Sequence, residues 1–275
     1  MILQLRRFSI AGLLLFFSLL GMARAQNVTP EEAVTRAARN ELAPGHQHPF
    51  RYTVRKVDDG KITTKEIIET KDGDVARLIA IGDKPLSPDA EAAEIQRLKT
   101  LLAHPEIEAH RRKREQADAN RADEMVRLLP NAFIYKFEGM EQGPSGPTYR
   151  LSMTPNRSFV PPDREAEVYH GMAGELWIDQ KQERMVKLNI HLIADVEFGW
   201  GIVGKLFRGG TILVEQKDVG DNHWEQLQLR LRLHGKILMF KNLTIDTTET
   251  ESDFSPVPAN WTYQDAVKAL LSEKK

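Results

Sequence analysis

From Phe50 onward most of the chain follows a two-residue period. Phe50, Tyr52 and Val54 alternate with Arg51, Thr53 and Arg55; Asp59-Gly60 turns; residues 62–70 run back; Asp72-Gly73 turns again; residues 75–81 make a third strand. Alternation interrupted by Asp-Gly pairs predicts an antiparallel meander. Ahead of it, Thr29-Pro30-Glu31-Glu32 has the form of a helix start, with an N-cap threonine, proline in the first turn and glutamate three residues on. Ala33, Val34, Ala37, Ala38, Glu41 and Leu42 then keep helical spacing as far as Pro44.

Ser87-Pro88-Asp89 caps a long helical stretch reaching about Leu129, with an expected break at His104-Pro105, because proline pushes the preceding residue out of the helical basin. Ala92, Ile95, Leu98 and Leu102 give its first part an apolar stripe. The basic run HRRKR at 110–114 is flanked by acids and reads as a solvated face. From Asn131 the period returns to two, through Phe133, Tyr135 and Phe137, then GELWID, MVKLNIHL, TILVEQKDV, HWEQLQLRLRLH and KILMFKNLTID. Leu227, Leu229, Leu231 and Leu233 fall on one face and Gln226, Gln228, Arg230 and Arg232 on the other. A last helix starts near Thr262. The pattern predicts an α+β protein, mainly antiparallel β.

The stretch FGWGIVGKLFRGG contains Gly199-x-Gly201-x-x-Gly204, the letters of a dinucleotide fingerprint. The fingerprint needs a parallel strand before it and a helix after it. Here the preceding segment alternates, and Gly209-Gly210 ends any following helix early, so a nucleotide is not expected. Phe198, Trp200, Ile202, Val203, Leu206 and Phe207 instead place large apolar side chains on a glycine-rich connector. This connector is either a plug for one end of a β core or an apolar flap over a cavity.

The first 25 residues read as a secretory leader: Arg6-Arg7, an apolar core from Phe8 to Leu20, and Ala23-Arg24-Ala25 as the cleavage site. Export without any cysteine leaves a fold that rests on packing alone and has no lipid-modified terminus. The formal net charge of −1 becomes −4 once Arg6, Arg7 and Arg24 leave with the leader, which argues against a nucleic-acid partner. The mature chain, 26–275, is expected to be a single domain with a helical insert at about 87–129, located in the periplasm or secreted.

Little in the chain suggests chemistry. No nucleophile elbow, zinc-helix motif, phosphate loop or cysteine nucleophile occurs. His46 and His48 could face one side of an extended segment, but no third ligand follows them, so no metal or cofactor is expected. Glu175 and Asp179, beside Trp177, leave a secreted hydrolase as a minority alternative.

The order GELWIDQKQERMVKLNIHL, VEFGWGIVGKLFRGG, TILVEQKDVGDNHWEQLQLRL and GKILMF resembles the superfamily of periplasmic lipoprotein carriers and outer-membrane lipoprotein-sorting proteins. The likeness covers roughly residues 165–258, including the G-x-L-x-I-D strand and the strand with a basic start at Arg184. It implies an unclosed, curved β barrel with a helical lid on its concave face, and a non-enzymatic carrier for a lipid or an acylated protein. On that reading the flap residues and Leu227, Leu229, Leu231 and Leu233 line the apolar groove, and contact with a membrane or an envelope membrane protein is transient. The competing expectation is an envelope interaction or sensing module with an empty groove.

Overall fold

A computed structural model describes residues 28–43, 49–198, 204–220, 222–238 and 241–272. Helix α1 (Pro30–Glu41) opens with the expected capping box: Thr29 accepts from the Glu32 N–H, and Glu32 accepts from the Thr29 N–H. Strands β1 (Phe50–Asp58), β2 (Lys61–Ile68), β3 (Val75–Ile81) and the short β4 (Lys84–Pro85) form the meander. The β1–β2 turn places Asp59 and Gly60 at φ of 47° and 75°, the left-handed pair that suits the twist of a two-residue hairpin.

Helix α2 (Pro88–Ala103) leads through a 3-10 turn at Pro105–Glu108 into α3 (Ala109–Ala132). The break falls at His104, as the proline requires. The remaining strands are β5 (Phe133–Gln142), β6 (Pro147–Pro155), β7 (Met172–Asp179), β8 (Met185–Leu192), β9 (Val196–Phe198), β10 (Gly204–Leu206), β11 (Thr211–Asp218), β12 (Trp224–Ile237) and β13 (Lys241–Pro256), and α4 (Tyr263–Ser272) follows.

All of them join one 13-stranded antiparallel sheet ordered β4-β3-β2-β1-β13-β12-β11-β8-β7-β6-β5, with β10 against β12 and β9 against β10. The two ends of this order, β4 and β5, are not paired, so the sheet is open. The helical insert is the covalent link between those ends.

Two apolar clusters hold helices to the sheet. The first gathers Val34 and Ala37 of α1, Leu129 of α3, Tyr135, Leu151, Leu176 and Ile190. The second gathers Ile68 and Val75 with Leu98 and Leu101 of α2 and Val267 and Leu270 of α4. At about 1.5 Å per residue α3 is about 36 Å long, enough to reach from Glu115, beside the meander, to Leu129 in the first cluster. Its Arg112 packs 5.2 Å from the centre of the Tyr263 ring. Among the described residues no helix is long and apolar enough to cross a membrane.

Three local expectations change. In α2 the buried stripe is Glu94, Leu98 and Leu101, while Ala92 is exposed. Glu94 turns inward because it accepts from the Leu78 N–H at 2.8 Å, and Arg97 donates to the Ala76 carbonyl at 2.5 Å, so α2 satisfies the otherwise open edge of β3. Lys236 and Ile237 do not start a strand but end β12, and Leu238 follows with φ of 49°. The following strand, β13, then continues through the polar TTETES to Pro256. Finally, the glycine-rich connector is a hairpin arm, with Phe198 opposite Gly204 and Gly204 opposite Ile237. Gly204 begins a strand and no helix, which removes the nucleotide fingerprint's context.

Candidate functional site

Register fixes which side chains share the inner face. Ile212 lies opposite Leu231 and Val214 opposite Leu229; across β11, Ile190 and Leu188 of the first cluster face the same two residues. Toward the other side Leu229 faces Glu249 and Leu231 faces Thr247, and these in turn meet Lys56 and Asp58 of β1. The inner face therefore passes from a sealed apolar half, under α1 and the end of α3, to a half where leucine, threonine and glutamate mix.

Two adjoining cavities lie on this second half and share Asp74 in their walls. One, of 660 Å³, is a groove between the sheet and the helices, bounded by Tyr52, Val54, Ile67, Leu78, Leu101 and Glu251. The other, of 1060 Å³, opens at the sheet end and is polar, with Glu41, Glu69, Arg184, His223, Trp224 and Glu225 in its wall.

Arg184 and its surroundings set one side of the larger cavity. Its guanidinium forks onto Glu41 at 3.1 and 2.9 Å and lies 5.9 Å from the centre of the Trp224 ring. Arg36 adds a 3.0 Å bond to Glu183, and Asn40 donates to the Glu183 carbonyl, so α1 is fastened to the turn between β7 and β8. Burial raises the Glu41 carboxyl, an effect that Arg184 partly offsets.

On the other side, acids crowd together. Burial pushes Glu69 up to about 7 despite a bond from the Phe50 N–H, and Glu225 and Asp74 add to the rise. Glu225 also reaches about 7, through burial first and Asp74 second. Glu251 reaches about 8, through burial and then the charge of Glu225, with Gln226 donating to it at 3.2 Å. The Tyr52 hydroxyl is raised mainly by burial and then by Glu69. At pH 7 Glu69 and Glu225 on this wall, and Glu251 in the adjoining groove, are therefore protonated to a far greater extent than a free carboxylate.

The expected site residues divide by position. Leu227, Leu229 and Leu231 are half-buried along β12. Phe198, Leu206 and Leu233 are half-buried against the first cluster, and Phe207 follows β10 with its N–H bonded to His234. Trp200, Ile202 and Val203, like His46 and His48, lie outside the described residues. Glu175 and Asp179 hold separate structural posts. Glu175 accepts from Arg150, which sits over Trp177, while buried Asp179 accepts from the backbone N–H groups of Lys181 and Gln182 and closes their turn. Sequence reading missed Glu69, Glu225 and Glu251. Their only signal is register, since acids on alternating positions of a β-rich stretch ordinarily face water.

The chain is similar in structure to LolA-superfamily and outer membrane lipoprotein-sorting domains, at low sequence identity. An outer membrane lipoprotein-sorting protein domain from Vibrio parahaemolyticus is 12% identical, with 88% of this chain and 99% of that one covered at a TM-score of 0.32. A LolA superfamily protein from Nitrosomonas europaea is 9% identical, covering 82% and 93% at 0.26. MucB, solved in complex with MucA(peri), is 11% identical, covering 82% and 94% at 0.24. At these values the likeness is one of general architecture and brings neither ligand nor activity with it. No family model and no curated protein matches the chain.

Proposed function

We propose that the protein is a non-enzymatic periplasmic binding or carrier protein, which holds the acyl chain of a lipid or of an acylated protein on the inner face of its open sheet. The observation that supports this most is the set of half-exposed apolar side chains on the inner face: Val214, Leu229 and Leu231 on one side, and Val54, Ile67 and Leu78 at the 660 Å³ groove on the other, with Thr247, Glu249 and Glu251 of β13 between them. Closed cores do not leave such residues half-covered in adjoining strands. An acyl chain laid there gains about 0.8 kcal/mol per buried methylene. Glu251, raised to about 8 mainly by burial, is mostly neutral at pH 7, while Lys65, Asp74, Arg97 and Glu249 give the same groove a charged border. The leader that would deliver the chain to the periplasm lies outside the described residues.

Native mass spectrometry of detergent-free protein from the periplasm, followed by solvent extraction, tests the proposal. Wild-type protein is expected to carry an extractable acylated adduct. Leu229→Asp, which sets a second carboxylate opposite Glu249, is expected to keep its circular dichroism spectrum and lose the adduct at least tenfold. Equal loading of both proteins would refute the groove.

One observation favours a second reading, an envelope interaction module. Edge strand β5 exposes Ile134 at 57%, Phe137 at 47% and Met140 at 45%. An edge strand of that composition pairs readily with an extended segment of another protein. An adduct-free wild type that crosslinks to a specific partner through β5 would move the assignment there.

A further inference from the structure

The sheet end brings together three potential ligands that no sequence motif joins. Glu69 follows β2, while His223 and Glu225 sit at the start of β12, two strands beyond β1 in the sheet order. One ligand atom from each, two carboxylate oxygens and an imidazole nitrogen, lies within 4.8 Å of the other two. We propose that Glu69, His223 and Glu225 form a binding site for a divalent transition metal ion of the zinc class.

Chemistry and placement both support the assignment. One imidazole with two carboxylates is a donor set that suits zinc and its neighbours, whereas calcium and magnesium sites use oxygen alone. In a tetrahedral zinc site with bonds of about 2.0–2.2 Å, ligand atoms stand about 3.4 Å apart, so the widest pair closes by at most about 1.4 Å while the contacting His223 and Glu225 atoms move slightly apart. All three side chains are half-buried on the wall of the 1060 Å³ cavity, and a three-ligand site there leaves a fourth position open toward the cavity.

The surrounding structure orients the ligands. The Phe50 N–H holds one oxygen of Glu69 at 2.8 Å, and the Phe50 ring stacks on the His223 imidazole with centroids 4.2 Å apart. The backbone of His223 is fixed in the β11–β12 turn by bonds with Val219 and Gly220. Its Nε2 is in hydrogen-bond contact with a Glu225 oxygen. A metal ion would take the place of that hydrogen bond, and its ligands would bind as carboxylates and a neutral imidazole, so binding is expected to release protons. The site would also tie β2 to β12 across the sheet and so stiffen the open end of the groove.

Isothermal titration calorimetry of untagged protein with zinc chloride at pH 7.5 tests this. The expected result is one equivalent bound with micromolar affinity or better, a raised melting temperature, and proton release. The variants His223→Ala, Glu225→Gln and Glu69→Gln are each expected to weaken binding at least tenfold while keeping the wild-type circular dichroism spectrum. Cobalt(II) substitution gives a second readout that folding changes do not mimic: a visible absorption band in wild type that is absent from Glu69→Gln. Absence of saturable binding at one equivalent would overturn the proposal. So would binding that survives all three substitutions, because the ion would then sit elsewhere on the chain.

Discussion

Glu251→Gln is expected to raise the melting temperature at pH 8.5 by several degrees and to leave it nearly unchanged at pH 5. Glu251 sits on β13 opposite Val54, on the inner face of the sheet. Burial lifts its carboxyl to about 8, and Glu225, Glu249 and Glu69 push in the same direction, with the Gln226 amide working against them. A carboxyl whose folded-state pKa is raised favours the folded state fully below its unfolded value of about 4.3, and the contribution is lost as pH rises through the folded value. Wild-type stability should therefore fall between about pH 4.3 and pH 8. Glutamine keeps the shape and a hydrogen-bond acceptor for Gln226 but has no charge to bury. Allowing for partial solvation, the difference at pH 8.5 should be roughly 2 kcal/mol. Thermal melts at the two pH values decide the matter, and parallel profiles for variant and wild type would show that Glu251 titrates normally.

Gly174→Ala should be the most damaging small substitution in the sheet. Gly174 lies in β7 between Met153 of β6 and Ile190 of β8. A Cβ there would meet the Asn189 carbonyl oxygen at 2.0 Å and the Ile190 Cα at 2.9 Å. Both are backbone atoms, so no rotamer change relieves the overlap, and the strands must separate inside the first apolar cluster. A loss of at least 3 kcal/mol is expected, about 10 °C or more in melting temperature if the protein expresses at all. Gly60→Ala is the control. Nothing lies within 4 Å of a Cβ at that position, and only its φ of 75° is unfavourable, which costs about 1 kcal/mol. Chemical denaturation of the two variants separates these outcomes, and a G174A protein within 1 kcal/mol of wild type would contradict the close approach of β7 and β8.

Where the chain repeats a strong local rule, its structure could be read from sequence. Thr29-x-x-Glu32 became the capping box of α1, Asp59-Gly60 became a left-handed turn, and His104-Pro105 broke the insert. Leu229 and Leu231 share a face opposite Val214 and Ile212, but a bulge between Gln226 and Gln228 takes Leu227 out of the four-leucine alternation read from sequence. What escaped was set by tertiary register. The TTETES segment has no apolar period, yet it is central in the sheet because β1 and β12 both bond to it. Leu238 turns with positive φ where no glycine or asparagine signals it. Glu69, Glu225 and Glu251 converge only after β2, β12 and β13 are placed, and no spacing along the chain measures that distance. The burial of Glu94 has no signal in the sequence for the same reason: its partner is the edge of β3, which sequence cannot locate.

The central claim is that an acyl chain lies along the half-buried inner face between β12 and the meander. The most direct test is photocrosslinking with a fatty acid carrying a diazirine near its methyl end, followed by peptide mapping. The account predicts that labelled residues cluster on Leu229, Leu231 and Val214 and on Val54, Ile67 and Leu78, with labelling suppressed by excess unlabelled lipid. Labels confined to the outer face around Trp177, or spread over the chain without competition, would contradict it.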